Sequence, residues 1–417
     1  MSAWHADRDF ALPTALLRPA RSSGLARRCL LAMLSIATVA IAAVTAWQGD
    51  AWQVRGGDYS ADYAASTNAL LVGRIGAFFA HLPVNGAGGS ILLRAPFSEL
   101  GRLIIGDQLA IYRFGALMCL LALGALGLYL AADTRRGALP WAAVVGVIAL
   151  LAGAPAALEA VVFGHPEEAL GAALCVGAVL AADAGAPGVA GAALGLALVN
   201  KPWGVLAVAP VLLCARAQWR RALWPAATIL GCWLLADLLV APSHALLTVA
   251  GAQASIVAHP QDVWWPLSHM DGLYPVPPAL LADHARTLAV LLALVAAGAL
   301  VLRARGARIA IDGRRCLALL ALGFALRCLL DPSDHVYYEL PFVVALGAWE
   351  LRAHRSLVIS LATTILLRLD FGRLGQDAAT IPYVLYLAIV LPLCAMLLAD
   401  LLGERRRGRR RAPAAFS

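Results

Sequence analysis

The chain has 417 residues, 61% of them hydrophobic and 14% charged, with a mean hydropathy of +0.77. Soluble domains carry roughly 45–50% apolar and about 25% charged residues, so a soluble enzyme, a disordered chain and a collagen-like fibre are excluded. The apolar stretches are continuous rather than alternating, which also excludes an outer-membrane barrel and leaves an all-α polytopic membrane protein.

A span needs about 20 apolar residues, fewer where a segment is broken or buried in protein. On that basis about 12 transmembrane helices are expected, near 29–48, 109–132, 139–163, 167–184, 187–200, 202–215, 222–241, 285–303, 315–330, 336–350, 355–368 and 380–402. They are expected to form one transmembrane domain over 29–402, between an N-tail (1–28) and a basic C-tail (403–417). No cleavable leader is expected, because the apolar run after Arg28 is long enough to remain as an anchor. With both termini cytoplasmic, the inner segments hold 23 of the 32 arginines, and the outer side holds 17 of the 25 acids. The fragile step is 187–215, which keeps Arg216, Arg220 and Arg221 inside only as two short helices meeting at Asn200-Lys201-Pro202.

The arginines explain the net charge of +8 without nucleic acid: the run Arg405–Arg411 reads as a basic anchor at the inner leaflet. The eight cysteines lie almost entirely in apolar stretches and form no CxxC pair, so neither a metal knuckle nor a disulfide framework is indicated. No internal repeat is visible. The inner loops are short and two outer loops are long, 49–108 and 242–284, so the material for chemistry lies on the outer face of a multi-pass plasma-membrane protein.

Four clusters there carry ionisable groups. In Gly56-Gly57-Asp58-Tyr59-Ser60-Ala61-Asp62, the two acids share a face if a helix starts here. Asp58 suits a helix cap or, lodged beside apolar helices, a general base. Farther on, Arg94-Ala95-Pro96-Phe97 reads as a turn into an interfacial helix, with Arg94 reaching for headgroups or for substrate. In Gly164-His165-Pro166-Glu167-Glu168 the acids sit at a helix N-terminus, which favours negative charge. His165 with Glu167 supplies two metal ligands, too few for a site, so no metal is expected. Lys201 is the only lysine in the chain and stands in the middle of an apolar segment broken by Pro202. An ionisable residue at membrane depth is a functional candidate by default, and a compact ammonium suits a phosphate oxygen; snorkelling to the interface is the plainer reading. The last cluster is Arg327, then Asp331-Pro332-Ser333-Asp334-His335-Val336-Tyr337-Tyr338. Here Asp334 is placed as a helix cap, and His335 and Tyr338 face one cavity or an interfacial aromatic belt. In the loop 259–275, Trp264, Trp265 and Tyr274 beside His269 and Asp271 suit a sugar platform or an interfacial anchor. Arg368, Asp370 and Arg373 read as headgroup anchors. There is no Walker A loop, no GxGxxG after a strand and no GxSxG elbow.

These segments resemble a family. An acid soon after the first span, many spans and a phosphate-binding outer cavity are similar to the GT-C superfold of lipid-linked glycosyltransferases. Within it the chain most resembles the bacterial polyprenol-phosphate-mannose-dependent mannosyltransferases (glycosyltransferase family 87). The carrying segments are Gly57-Asp58-Tyr59 through Ala69-Leu70-Leu71-Val72-Gly73, Gly164-His165-Pro166-Glu167-Glu168, Asn200-Lys201-Pro202-Trp203 and Asp334-His335-Val336-Tyr337-Tyr338. The resemblance implies interfacial helices in the first outer loop. It implies transfer of a hexose, mannose foremost, from a polyprenyl-phosphate donor to a lipid or glycan acceptor, with inversion and with neither nucleotide nor obligatory metal. Asp58 or Asp62 would be the base; Lys201, His335 and Arg327 would bind the donor phosphate; His165, Glu167, Glu168, His269 and Tyr338 would line the substrate site. The competing expectation is a secondary transporter or lipid flippase, which calls for paired repeats.

Overall fold

The structure, a computed structural model, describes residues 24–83, 88–132, 141–249, 258–261, 263–272, 274–276, 278, short pieces between 291 and 299, 311–332, 335–354, 356–371 and 380–403. Both charged tails, most of the expected 285–303 span, Asp334 and Arg373 lie outside them. The first half comprises α1 (Gly24–Trp47), α2 (Trp52–Arg55), a π-helical turn (Tyr59–Tyr63), α3 (Ala64–Leu71), α4 (Ile75–Ala80), α5 (Gly89–Ile104), α6 (Gln108–Ala132), α7 (Trp141–Gly153), α8 (Pro155–Val162) and α9 (Glu167–Asp183). Then follow α10 (Pro187–Asn200), a 3₁₀ stretch (Pro202–Ala207), α11 (Val208–Ala215), α12 (Trp219–Val240), α13 (Pro242–Val249) and a hairpin of β1 (His269–Asp271) with β2 (Tyr274–Val276). The chain closes with α14 (Gly313–Leu330), α15 (Glu339–His354), α16 (Val358–Leu369) and α17 (Thr380–Leu402).

Proline sets several of these boundaries. Pro155, Pro187 and Pro202 each open a helical segment, where the missing N–H has no partner to lose. The expected single span over 139–163 is accordingly split at Ala154-Pro155 into α7 and α8. The 187–215 segment breaks at Lys201, whose extended backbone ends α10. Pro96 does not make a turn as expected: it lies inside α5, with Arg94 on the same helix.

Among the described residues, four stretches are long and apolar enough to cross a membrane: Arg28–Trp47, Gln108–Ala132, Pro202–Val240 and Thr380–Leu402, with shorter apolar helices among the rest. The third turns back on itself at Arg216, a non-glycine residue with φ of 53°. The described residues are thus those of a mostly helical membrane protein with four long apolar helices, fewer than the 12 spans expected.

The core is a stack of α9, α14 and α15, each buried along most of its length. These helices are rich in alanine and glycine, which lets backbones approach closely where no water is expelled to drive packing. Around them α1, α12, α16 and α17 turn apolar side chains outward; Val39, Leu239, Val358 and Ile381 are all exposed. In water such surfaces would associate; in a bilayer they meet acyl chains.

Polar side chains gather at the two ends of this stack. At one end Asp183 accepts from Gly313 N (2.9 Å) and pairs with Arg352 (3.6 Å), while Asp400 pairs with Arg314 (3.1 Å) and accepts from Trp349 (3.0 Å). Arg216 donates to the Ile311 carbonyl at the same end. The other end holds Glu167, Lys201 and Arg327, described below. α9 runs from Glu167 to Asp183 between the two, roughly 24 Å at the helical rise, close to the roughly 30 Å hydrocarbon thickness. Described residues of four segments expected on the cytoplasmic face, 183–187, 216–221, 303–315 and 350–356, thus share one end.

One distant side chain tunes the packing of α16. Glu350, fully buried on α15, accepts from Ile359 N (3.0 Å), Ser360 N (2.8 Å), Ser360 Oγ (2.7 Å) and Ser356 Oγ (2.7 Å), so it satisfies the free donors at the start of α16. Replacing Glu350 by alanine is expected to destabilise the folded protein by about 3 kcal/mol. Thermal unfolding of the protein in detergent checks this, and a midpoint equal to wild type would refute the capping role.

Candidate functional site

Five separate segments meet at the end of the stack marked by Lys201. The first is the turn after α1. Asp58 stands immediately before the π-helical turn but its side chain makes no capping bond; it points to His165 instead. The wide i→i+5 turn is rare and recurs at functional positions. Here it lets Tyr63 point into the bundle while Asp58 stays at the rim. Gln53 fastens this turn to the end of α8, donating to Val162 O (2.6 Å) and accepting from Tyr59 N (3.2 Å).

The second segment is the tight link from α8 to α9. Gly164 has φ of 89°, and a Cβ there would lie 2.4 Å from Gln53 Oε1 and 2.8 Å from Tyr59 N. Only glycine lets His165 and Glu167 follow so sharply while the 58–63 turn passes against them. The third is the break between α10 and the 3₁₀ stretch, where Asn200 donates to the Glu167 carbonyl (3.0 Å). A Cβ at Gly171 would lie 2.5 Å from Trp203 and 2.7 Å from Asn200, so this break also packs directly on α9. Arg94 of α5 and Arg327 of α14 complete the set.

Glu167 is the hub. Its Oε1 accepts from Tyr63 OH (2.8 Å) and His165 Nδ1 (2.9 Å) and pairs with Lys201 Nζ (3.0 Å); Arg94 lies 3.7 Å from Oε2. Glu168 accepts from Trp203 Nε1 (3.2 Å), with Lys201 at 3.6 Å and Arg327 at 3.7 Å. The Arg327 guanidinium stacks 4.0 Å from the Tyr338 ring centre and 5.3 Å from that of Trp203. Two fully buried carboxylates therefore face three permanent cations. Neither Oε2 atom has a hydrogen-bond partner, and neither does Nη1 of Arg327. This part of the lattice is held by charge across 3.7 Å and not by closed hydrogen bonds.

His165 links the lattice to the surface. Its Nδ1 faces Glu167 and its Nε2 lies 3.2 Å from Asp58, whose side chain is 54% exposed. Two carboxylates on one imidazole call for a proton on each nitrogen. Burial opposes that charge, but the hydrogen bonds to Asp58 and Glu167 prevail and push the His165 pKa up to about 9. The same bond, against the cost of burial, holds Asp58 below the usual carboxylate range. Asp62, one turn on, is pushed up by burial.

An aromatic stack runs outward from His165. Tyr337 lies against His165 (4.6 Å between ring centres) and against His335 (5.2 Å, planes 8° apart), and His259 meets His335 edge-on at 4.6 Å. Burial drives the His335 pKa down to about 3, with His259 and His165 adding to the effect. His335 is thus a neutral ring at ordinary pH, able to offer an anion a hydrogen bond but no positive charge.

Of the residues singled out in the sequence, Asp58, Asp62, His165, Glu167, Glu168, Lys201, Arg327, His335 and Tyr338 belong to this one neighbourhood. His269 does not: it stands exposed on the hairpin, and His259 from the same loop holds the place beside His335. Arg94 corrects a second expectation. It is buried and paired with Glu167, not directed to headgroups. Asp370 is fully buried and so is no headgroup anchor, whereas Arg368, paired with Glu159, keeps an exposed side chain. Tyr63, Trp203 and Tyr337 were not anticipated; each lay inside a quoted motif, but aromatic residues near an interface carry no mark of the ring they will stack on. No family model matches the chain, and neither a curated protein nor a solved structure matches it.

The pair Asp58–His165 makes stability depend on pH in a defined direction. The folded His165 pKa lies above its ordinary 6.5, so its contribution is fully present below about 6.5 and is lost as pH rises through about 9. The folded Asp58 pKa is depressed, so its contribution is present above the ordinary carboxylate value and is lost as pH falls through the lowered one. The thermal midpoint of the wild type relative to His165→Asn is expected to fall between pH 7 and 10. A constant difference across that range would show that the imidazole is neutral.

Proposed function

We propose that this protein is a membrane-embedded glycosyltransferase that moves a hexose from a polyprenyl-phosphate donor to a hydroxyl of a lipid or glycan acceptor. The observation that carries the reading is the continuous chain Asp58–His165–Glu167–Lys201, which joins an exposed carboxylate to buried cations within one outer-loop neighbourhood. Sugar transfer from a lipid phosphate asks for these two things: an accessible base for the acceptor hydroxyl, and positive charge for the departing phosphate.

In this reaction the Asp58 carboxylate takes the acceptor hydroxyl proton as that oxygen bonds to the anomeric carbon. The bond from that carbon to the phosphate oxygen breaks in the same displacement, so configuration inverts. His165 holds Asp58 ionised and oriented. Arg94, Lys201 and Arg327 outnumber Glu167 and Glu168, and the open 3.7 Å contacts leave the cations free to turn toward a phosphate. Neutral His335 and the Tyr337 and Tyr338 rings supply a hydrogen bond and flat faces for the sugar. The leaving group departs as a phosphate held by side-chain cations, so the route calls on neither a nucleotide nor a metal. Mannose as the hexose follows from the family resemblance. The arginine distribution supports an orientation with this end of the bundle outside the cytoplasm, in the plasma or inner membrane. Asp58 is preferred over Asp62 as the base because it is exposed and held by His165; Asp62 is half-buried.

A membrane assay with radiolabelled polyprenyl-phosphate hexoses tests this. Asp58→Asn is expected to lower turnover about 10²- to 10⁴-fold with little change in KM, the range for loss of a general base. Asp62→Asn should lose far less, and Lys201→Ala should abolish transfer. Full transfer by both carboxylate variants would end the assignment of the base, and no transfer by wild type from any hexose donor would end the proposal.

A further inference from the structure

The end of the bundle remote from Lys201 holds a cavity of about 320 Å³ between the α9–α10 turn and the α11–α12 turn. That size is at the lower end of the range for small-molecule sites. Asp183, Gly185, Cys214, Arg216 and Gln218 are among the residues lining it. Arg216 is the one non-glycine residue with positive φ among the described residues, at φ 53° and ψ −120°. A side-chain residue held in a conformation that favours glycine is a mark of function. The guanidinium is exposed and donates to the Ile311 carbonyl across the turn. Asp183, the acid of the cavity, is already engaged by Arg352 and Gly313 N. Arg220, lying over the Trp219 ring, and Arg221 are exposed on the first turn of α12, which follows Gln218 directly, so the charge next to the cavity is net positive.

The surface below the cavity is apolar and outward-facing. Leu223, Trp224, Leu234 and Leu235 of α12 are exposed. From Leu223 to Leu234 is roughly 16 Å along the helix, about half the hydrocarbon thickness and therefore one leaflet.

We infer that this cavity binds the headgroup of an anionic phospholipid, with Arg216 on the phosphodiester and an acyl chain along the α12 face. The arginine fork matches two phosphate oxygens, and the net positive charge next to the cavity selects a headgroup with no compensating ammonium. The site rests on the membrane reading of the fold and is independent of glycosyl transfer.

The test uses the purified full chain in phosphatidylcholine nanodiscs, with phosphatidylglycerol or inorganic phosphate added, read by thermal midpoint and by lipid retained in native mass spectrometry. Phosphatidylglycerol is expected to raise the midpoint and to remain bound, while inorganic phosphate does neither. Arg216→Gln should weaken the apparent lipid affinity about tenfold, the loss of one charge-assisted contact. Ala217→Trp, which fills the cavity and leaves the arginine in place, should weaken it as well. Arg55→Gln, an exposed arginine next to the Asp58 turn, should leave it unchanged. An equal response in Arg216→Gln, an equal loss in Arg55→Gln, or a phosphate effect matching that of the lipid would each overturn the assignment.

Discussion

Burial of Glu167 is the constraint on which the rest of this structure depends. Its side chain is fully enclosed at the head of an apolar helix. A bare carboxylate there would cost several kcal/mol or more even after relaxation. It is kept by donors from other parts of the chain: Tyr63, His165, Lys201 and Arg94. None of these can leave without exposing the others to the same penalty, so the loop after α1, the α8–α9 link, the α10 break and α5 are locked together.

The lattice also explains why the break at Lys201 exists. The extended backbone at Lys201 and the 3₁₀ turn after it free the side chain to reach two glutamates, and 12% of it remains exposed. The same break returns the chain to the opposite end of the bundle, where Arg216 meets Ile311. A second polar layer stands there, built from Asp183, Arg314, Arg352 and Asp400. Between the layers the packing is almost wholly alanine, leucine, valine and glycine. Both layers mix direct contacts of about 3 Å with longer ion pairs, at 3.6 Å for Asp183 with Arg352 in one and at 3.7 Å for Arg94 with Glu167 and Arg327 with Glu168 in the other.

Much of this was legible in the sequence. Long apolar runs mark α1, α6 and α17 by length alone. A lone lysine followed by proline marks a helix break with a polar purpose, and Gly-His-Pro-Glu-Glu between apolar runs marks a charged corner. What could not be read is pairing between distant segments. Arg94 looked like a headgroup contact because its partner lies 73 residues away on another helix. Gln53 as a fastener of the Asp58 turn, and Glu350 as a remote cap, are invisible for the same reason. The enclosure of His335 by other rings is equally invisible, because composition reports a residue's type and not its surroundings. α16, where a span over 355–368 was expected, is an apolar helix of only 12 residues, shorter than the length that marks a crossing by itself.

The account turns on Glu167 and Lys201 sharing one enclosed site, and a double-mutant cycle reads that directly. Stability in nanodiscs would be measured for wild type, Glu167→Gln, Lys201→Met and the double variant. Each single change strands a buried charge, so the double variant is expected to be more stable than the two losses added, by on the order of 2 kcal/mol. Losses that simply add would mean that the two charges never meet, and the lattice described here would be wrong.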